Sequence, residues 1–214
     1  MSEAEKGETT KRQGQDQHET RSVAFAYDGS AEGLMSCVFH SYACHVVPQD
    51  IARKDLVQPR LDQEIVDIPT NFDQAFRVRR GIVRCGGRQV WKQCLYTTAS
   101  DDPKAPYAAF RFIRQLFDVN ARVCRKCKRR SECRRPCSKN EGPHILDEWA
   151  NPHVEDVLKI SRSVANEINR MHELIRFSHL DSDIWFARCN PNANVVPFLM
   201  SWFAPRFNTQ RFLI

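Results

Sequence analysis

The chain has 214 residues, of which 42% are hydrophobic and 27% are charged, and these ordinary globular values allow a substantial buried core. The first 21 residues contain almost nothing apolar, and the longest apolar run, VVPFLMSWFA, is ten residues long, so the pattern excludes a secretory signal and a membrane span. We therefore expect a soluble, cytoplasmic protein whose nine cysteines are reduced thiols or metal ligands.

The N-terminal part is predicted to form a tail, a strand and a helix. Residues 1–21 are polar and indicate a disordered tail, whereas residues 22–214 are predicted to form a single domain. Alternation in SVAFAY predicts a strand over Ser22–Tyr27, and AEGLMSCVFHSYA after the break at DGS predicts a helix. A looser stretch follows, in which QEIVDIP is a candidate strand.

Helices dominate the rest of the chain. FDQAFRVRRGIVRC is predicted to form a helix that ends at Gly86-Gly87, where RQVWKQCLYTTA begins the next, and PYAAFRFIRQLFDV predicts another. The longest periodic element runs from about His153 to Phe177. A strand in DIWFARCNP, a short helix and a last strand in RFLI follow. The fold class is therefore α+β, mostly helical, with a small antiparallel or mixed sheet formed by the N-terminal strand and the C-terminal strands.

Three stretches resemble one family. YDGSAEGLMSCVFHSYA is similar to its N-terminal signature, NEINRMHELIRF to its Glu-x-x-Arg-Met helix, and WFARCNPNANVVPFLMSWFAPRFNTQRFLI to its C-terminal pattern. The family is the uncharacterised group of DNA metabolism/repair proteins. Its members are typically encoded beside a radical-SAM protein thought to act on DNA, and some are fused to a uracil-DNA glycosylase-like domain. The resemblance implies a DNA context without an established reaction.

The resemblance also implies a set of motif residues. Asp28 is either catalytic or the capping residue of a strand-to-helix turn. Arg170 and Arg176 are candidates for a phosphate or partner contact, and the alternative is a structural ion pair, since Glu167 and Arg170 are spaced i, i+3. Arg206 is a candidate for the same face as Arg176. The full set is Tyr27, Asp28, Gly29, Glu167, Arg170, Met171, Arg176, Phe177, Pro197 and Arg206.

The most basic segment of the chain also holds four cysteines. Residues 121–139 contain nine Lys or Arg and one acid, which gives +8, whereas the whole chain is +6. Members of the family generally lack this four-cysteine insert, which we place at residues 121–143, so a metal site there must be argued from the residues themselves. The spacing C-x2-C-x5-C-x3-C is carried by Cys124, Cys127, Cys133 and Cys137.

Four thiolates at short spacing suit a tetrahedral structural zinc site. An iron–sulfur cluster and free or redox-active thiols are the alternatives. A bound ion would supply the closure energy that a charged loop without a core lacks. The other cysteines, in or beside apolar elements, are interpreted as small core residues: Cys37, Cys44, Cys85, Cys94 and Cys189.

A metal-organised segment would present its basic side chains outward. Phosphate backbones are the commonest partner of such a surface, and a solvated charged loop is the alternative. The predicted nucleic-acid contacts are Arg125, Lys126, Lys128, Arg129, Arg130, Arg134 and Arg135.

Three functions remain open from the sequence. The first is a DNA-associated accessory protein that binds nucleic acid through the basic segment and assists a radical-SAM or glycosylase-type enzyme. The second is an enzyme acting directly on DNA, with Asp28, Glu167 and Arg170 in one cleft. The third is a zinc-stabilised protein–protein adaptor.

Overall fold

A computed structural model describes residues 22–126, 142–180 and 183–214. The elements in chain order are β1 (Ser22–Tyr27), α1 (Ala31–Ala43), β2 (Asp50–Arg53), β3 (Gln63–Asp67), α2 (Phe72–Thr98), α3 (Ala105–Lys126), a 3-10 helix (Gly142–Asp147), α4 (Pro152–Leu174), β4 (Ser178–Leu180), β5 (Ile184–Phe186), α5 (Val196–Phe207) and β6 (Arg211–Leu213).

The N-terminal strands form a parallel sheet with the order β2-β1-β3. β1 is central, and its residues 24–27 are all buried, because helices cover a parallel sheet on both faces. The α1 crossover returns the chain to β2 on one side of β1, and β3 then pairs with the other side. The carboxyl end of β1 therefore lies between the ends of two neighbouring strands.

The α+β class and the excess of helix are confirmed, but the predicted single sheet is wrong. The C-terminal strands form a separate mixed sheet, in which β4 pairs antiparallel and β6 pairs parallel with β5. β1 instead pairs with β2 and β3. The predicted strand in QEIVDIP is confirmed as β3. Strand β2 was not predicted, because its four residues, DIAR, carry almost no periodic signal.

Helix α2 is bent at the predicted Gly86-Gly87 break. Gly87 has φ +82°, a left-handed conformation that glycine adopts without steric cost, and helical backbone continues on both sides. The Cζ of Arg79 lies 5.5 Å from the Trp91 ring. A straight helix would separate residues twelve positions apart by about 18 Å, so the contact requires the bend.

The described core has two parts, which share helix α4. The N-terminal core includes Phe25, Phe112 and Val157, and the C-terminal core includes Ile168 and Leu199. The first turns of α4 therefore pack in one core and its later turns in the other. Its helical spacing predicts that Val157, Val164, Ile168 and Met171 are buried; the first three are buried, and Met171 is half-buried.

The prediction that five cysteines are core residues holds for three of them. Cys37, Cys85 and Cys94 are buried, Cys189 is half-buried, and Cys44 is exposed because it lies just beyond the last residue of α1. Among the described helices, none is long and apolar enough to cross a membrane.

Candidate nucleic-acid interface

The predicted metal site falls mostly on residues that the structure does not describe. Cys124, Arg125 and Lys126 are in the last turn of α3. Within the described parts of the chain, no three His, Cys, Asp or Glu side chains form a group able to hold a metal ion. The remaining predicted residues lie outside the described ranges: Cys127, Lys128, Arg129, Arg130, Cys133, Arg134, Arg135 and Cys137.

Asp28 ties the end of β1 to two other segments. Its Oδ1 accepts hydrogen bonds from the backbone N and the Oγ of Ser30 at 2.9 and 2.6 Å, and its Oδ2 accepts one from Thr70 Oγ1 at 2.7 Å. Ser30 is the N-cap of α1 and accepts a hydrogen bond from Gly33 N. Partial burial alone would raise the pKa of Asp28, but these hydrogen bonds outweigh it and hold the pKa below its usual value. The Asp28 carboxylate therefore holds the turn between β1 and α1 and links it to Thr70.

Glu167 holds a loop of the C-terminal part. Its two carboxylate oxygens accept hydrogen bonds from the backbone N of Asn192 at 2.6 Å and of Ala193 at 2.9 Å. The alternative interpretation, an ion pair between Glu167 and Arg170, is not found among the salt bridges of the described residues, and Arg170 is exposed. The next residue of the loop, Asn194, donates its N–H to the carbonyl of Ala99 at 2.8 Å, which ties the loop to the end of α2.

Arg176 closes the end of α4. Its Nη1 donates to the carbonyl oxygens of Glu173 at 2.5 Å and of Ile175 at 3.0 Å. Carbonyls at a helix C-terminus lack intrahelical partners, so a guanidinium there satisfies them. Met171 packs against the C-terminal core, and Pro197 lies in the first turn of α5, where its missing N–H costs nothing.

Two more motif residues, Phe177 and Arg206, lie at an aromatic cluster near the end of the chain. Phe177 lies 5.1 Å from Phe203 by ring centroids, and the Cζ of Arg206 lies 4.6 Å from the centroid of Trp202. His172 stacks on Trp202 at 4.5 Å, and burial together with the charge of Arg206 lowers the pKa of His172. That Arg206 and Arg176 share one face stays a prediction.

A cleft of about 720 Å³ lies beside the segments that the two carboxylates hold. Tyr27 and Gly29, next to Asp28, line one part, and Asn192 and Ala193, held by Glu167, line another. The described lining includes neither carboxylate. Asp28 and Glu167 therefore position the cleft walls rather than reach into the cleft.

The cations of this cleft are paired with carboxylates. Arg53 forms a bidentate pair with Asp55, at 2.7 and 3.1 Å, and Arg60 lies 3.4 Å from Asp50. Paired guanidiniums present little uncompensated charge to an approaching anion. The cleft is therefore a weak candidate for a polyanion.

Helix α2 presents the opposite arrangement. Between residues 74 and 100 the chain has six Lys or Arg and no acid. All six are exposed, while Ala75, Val78 and Ile82 turn into the core. Among the described residues, none of the six lies in a salt bridge. We call them the α2 cations: Arg77, Arg79, Arg80, Arg84, Arg88 and Lys92.

Aromatic rings lie beside four of the six α2 cations, namely Arg77, Arg79, Arg80 and Lys92. Arg77 lies 5.0 Å from the Phe39 ring, and Arg80 lies 5.8 Å from the Phe76 ring. Arg77, Arg80 and Arg84 are spaced i, i+3, i+7 and so share one face of the first segment of α2. A cation over a ring keeps its full charge, so this face is strongly positive.

Apolar spacing predicted this helix, but its charge was not used to predict a binding site. A count of charge by element would have found the face, because Phe72–Thr98 carries six cations and only one acid, Asp73, and so has a net charge of +5. With the +8 of residues 121–139, the rest of the chain is −7. The basic character of the protein therefore lies in two segments.

Comparison with known families gives a match in the C-terminal part of the chain. Residues 136–214 match a domain of unknown function, DUF4130, whose description names no activity or ligand. The described part of this match contains α4, α5 and the C-terminal sheet, and the α2 cations lie outside it. Curated proteins and solved structures gave no match.

Proposed function

We propose that this protein binds nucleic acid through the α2 cations and acts as a DNA-associated accessory protein. The observation that carries the proposal is a set of six exposed cations without a carboxylate partner among the described residues. Like charges on one helix repel, and a polyanion relieves the repulsion while releasing its own counterions.

The basic four-cysteine segment supports the same partner. Helices α2 and α3 pack together, and Arg77 of α2 and Asn120 of α3 line the same groove. The last turns of α3, from which the segment continues, therefore lie near the first segment of α2. We propose that Cys124, Cys127, Cys133 and Cys137 bind zinc, with an iron–sulfur cluster as the alternative; elemental analysis of the purified protein would distinguish the two.

The wider setting rests on sequence resemblance. The motifs quoted above support a DNA repair or modification context, with a radical-SAM or uracil-DNA glycosylase-like protein as the partner, in the cytoplasm. Catalysis by Asp28, Glu167 and Arg170 has less support, because both carboxylates already bind the turn or the loop beside them. A zinc-stabilised adaptor would not need the α2 cations.

The salt dependence of binding tests the proposal. The triple variant Arg77→Ala, Arg80→Ala, Arg84→Ala should flatten the slope of log K against log salt on duplex DNA by about 1 per lost phosphate contact. Fluorescence anisotropy with a labelled duplex at several salt concentrations measures the slope.

A matched variant controls for net charge. Lys159→Ala, Arg162→Ala, Arg188→Ala removes three exposed cations from α4 and from the stretch after β5, and it should leave the slope nearly unchanged. Equal flattening by both variants would mean that only overall charge matters. Absence of wild-type binding at low salt would reject the proposed function.

A further inference from the structure

We infer that the surface formed by α1, α2 and α3 binds unpaired bases, so that the preferred ligand is single-stranded nucleic acid. The inference rests on the proposed function and specifies its substrate class. Its basis is a groove of about 480 Å³ in which three aromatic rings, those of Phe39, Tyr42 and Phe117, lie beside Arg77 and Arg84.

Gly81 lets the Phe117 ring lie at the floor of this groove. A Cβ at this position would lie 3.1 Å from Cζ of Phe117, so the Phe117 ring packs directly against the backbone of α2. The Tyr42 ring lies 6.0 Å from the Phe117 ring at 56°, and Tyr42 is 37% exposed. The floor therefore offers ring surface to a ligand.

Arg114 extends this surface across α3. Its Cζ lies 4.7 Å from the Tyr42 ring, and its Nη1 donates a hydrogen bond to Ser41 Oγ at 2.6 Å, which fixes the guanidinium. Arg114 also lines a second groove, of about 550 Å³, together with Tyr107, Phe110, Arg111 and Arg122. The two grooves therefore meet at Tyr42 and Arg114.

The charge of the two grooves is positive. Their lining contains five arginines and one carboxylate, Asp118, which lies in the second groove. Rings between guanidiniums match a single strand, whose bases stack on aromatic faces while its phosphates contact cations. The bases of a duplex stack on one another instead, so a duplex can use the cations but not the rings.

A comparison of strands tests the inference. The variant Tyr42→Leu removes the ring and retains apolar bulk beneath Arg114. We expect its affinity for an oligo(dT) strand to fall by about 5- to 150-fold, the usual range for a lost base–aromatic stack, with little change for a duplex of equal length at the same salt. Fluorescence anisotropy on both labelled ligands measures the difference.

Two variants control the result. Tyr42→Phe retains the ring and should bind the single strand like the wild type, which shows that the ring and not the hydroxyl group is needed. The unchanged duplex affinity of Tyr42→Leu shows that the leucine variant is folded. Trp149→Leu removes an aromatic side chain that is 63% exposed and lies outside both grooves, and it should change neither affinity.

Two outcomes would overturn the inference. One is an equal loss for duplex and single strand in Tyr42→Leu, and the other is unchanged single-strand binding by that variant. If the wild type binds both ligands and Tyr42 has no effect, the proposed function stands and only the base-binding groove is rejected. If the wild type binds neither ligand, both proposals are rejected.

Discussion

The cleft beside β1 and the surface of α2 use arginine in opposite ways. In the cleft, Arg53 and Arg60 lie against Asp55 and Asp50, so their charges are neutralised within the fold. On α2, Arg77 and Arg80 lie against aromatic rings and keep their charge. The difference indicates that charge near the cleft serves the structure and that charge on α2 is available to a partner.

The largest loss of stability is expected at Glu167, whose carboxylate binds the backbone of the loop at Asn192. Glu167→Gln removes the charge that accepts the N–H groups of Asn192 and Ala193, and a hydrogen bond to a charged group contributes about 1.5–3 kcal/mol. We expect a loss of about 1–3 kcal/mol in the free energy of unfolding, measured by urea denaturation. Glu173→Gln, at an exposed position of the same helix, should have little effect.

Nucleic-acid affinity of the Glu167→Gln variant should stay near the wild-type value under conditions where the variant is folded. A large loss of affinity in the folded variant would show that the loop at Asn192 takes part in binding, and the contrast between the two regions would fail.

A smaller effect, present near neutral pH and lost in acid, is expected at Asp28. Because the folded-state pKa is below the ordinary value, the carboxylate stabilises the fold above its unfolded pKa, and this contribution is lost as the pH falls through the folded pKa. Asp28→Asn should therefore be less stable than the wild type near neutral pH, and the difference should shrink on acidification below about pH 4. Thermal unfolding across that range measures it, and a constant difference would contradict this assignment.

The smallest effect is expected for the α2 cations. Exposed side chains outside structural ion pairs usually change stability by about 0.5 kcal/mol or less. The triple variant of Arg77, Arg80 and Arg84 should therefore unfold at nearly the wild-type urea concentration, although its salt dependence of binding changes. Strong destabilisation would mean that the cation–ring contacts hold helix α2 in place.

Local pattern was enough to predict much of the secondary structure. The bounds of β1 and α1, the break at Gly87 and three of the four residues predicted to be buried on α4 agree with the structure. Alternation, helical spacing and glycine breaks arise from neighbours in the chain, so they are visible without the fold. The metal set and the basic segment around it remain predictions from spacing and charge, since they lie mostly outside the described residues.

Contacts between distant segments were decided by tertiary structure alone. Which strands pair in a sheet depends on how the connections between them cross. The four residues of β2 carry too little pattern to predict that β2 pairs with β1 in a parallel sheet. Asp28 Oδ2 and the Glu167 carboxylate bind partners far along the chain, Thr70 and the backbone of the loop at Asn192. The sequence by itself determined how many cations α2 carries. Two of the cation–ring contacts, Arg80 with Phe76 and Lys92 with Tyr96, follow from i,i+4 spacing within α2. The contact of Arg77 with Phe39 was decided by the packing of α1 against α2, because neighbours from different helices are set by which helices meet.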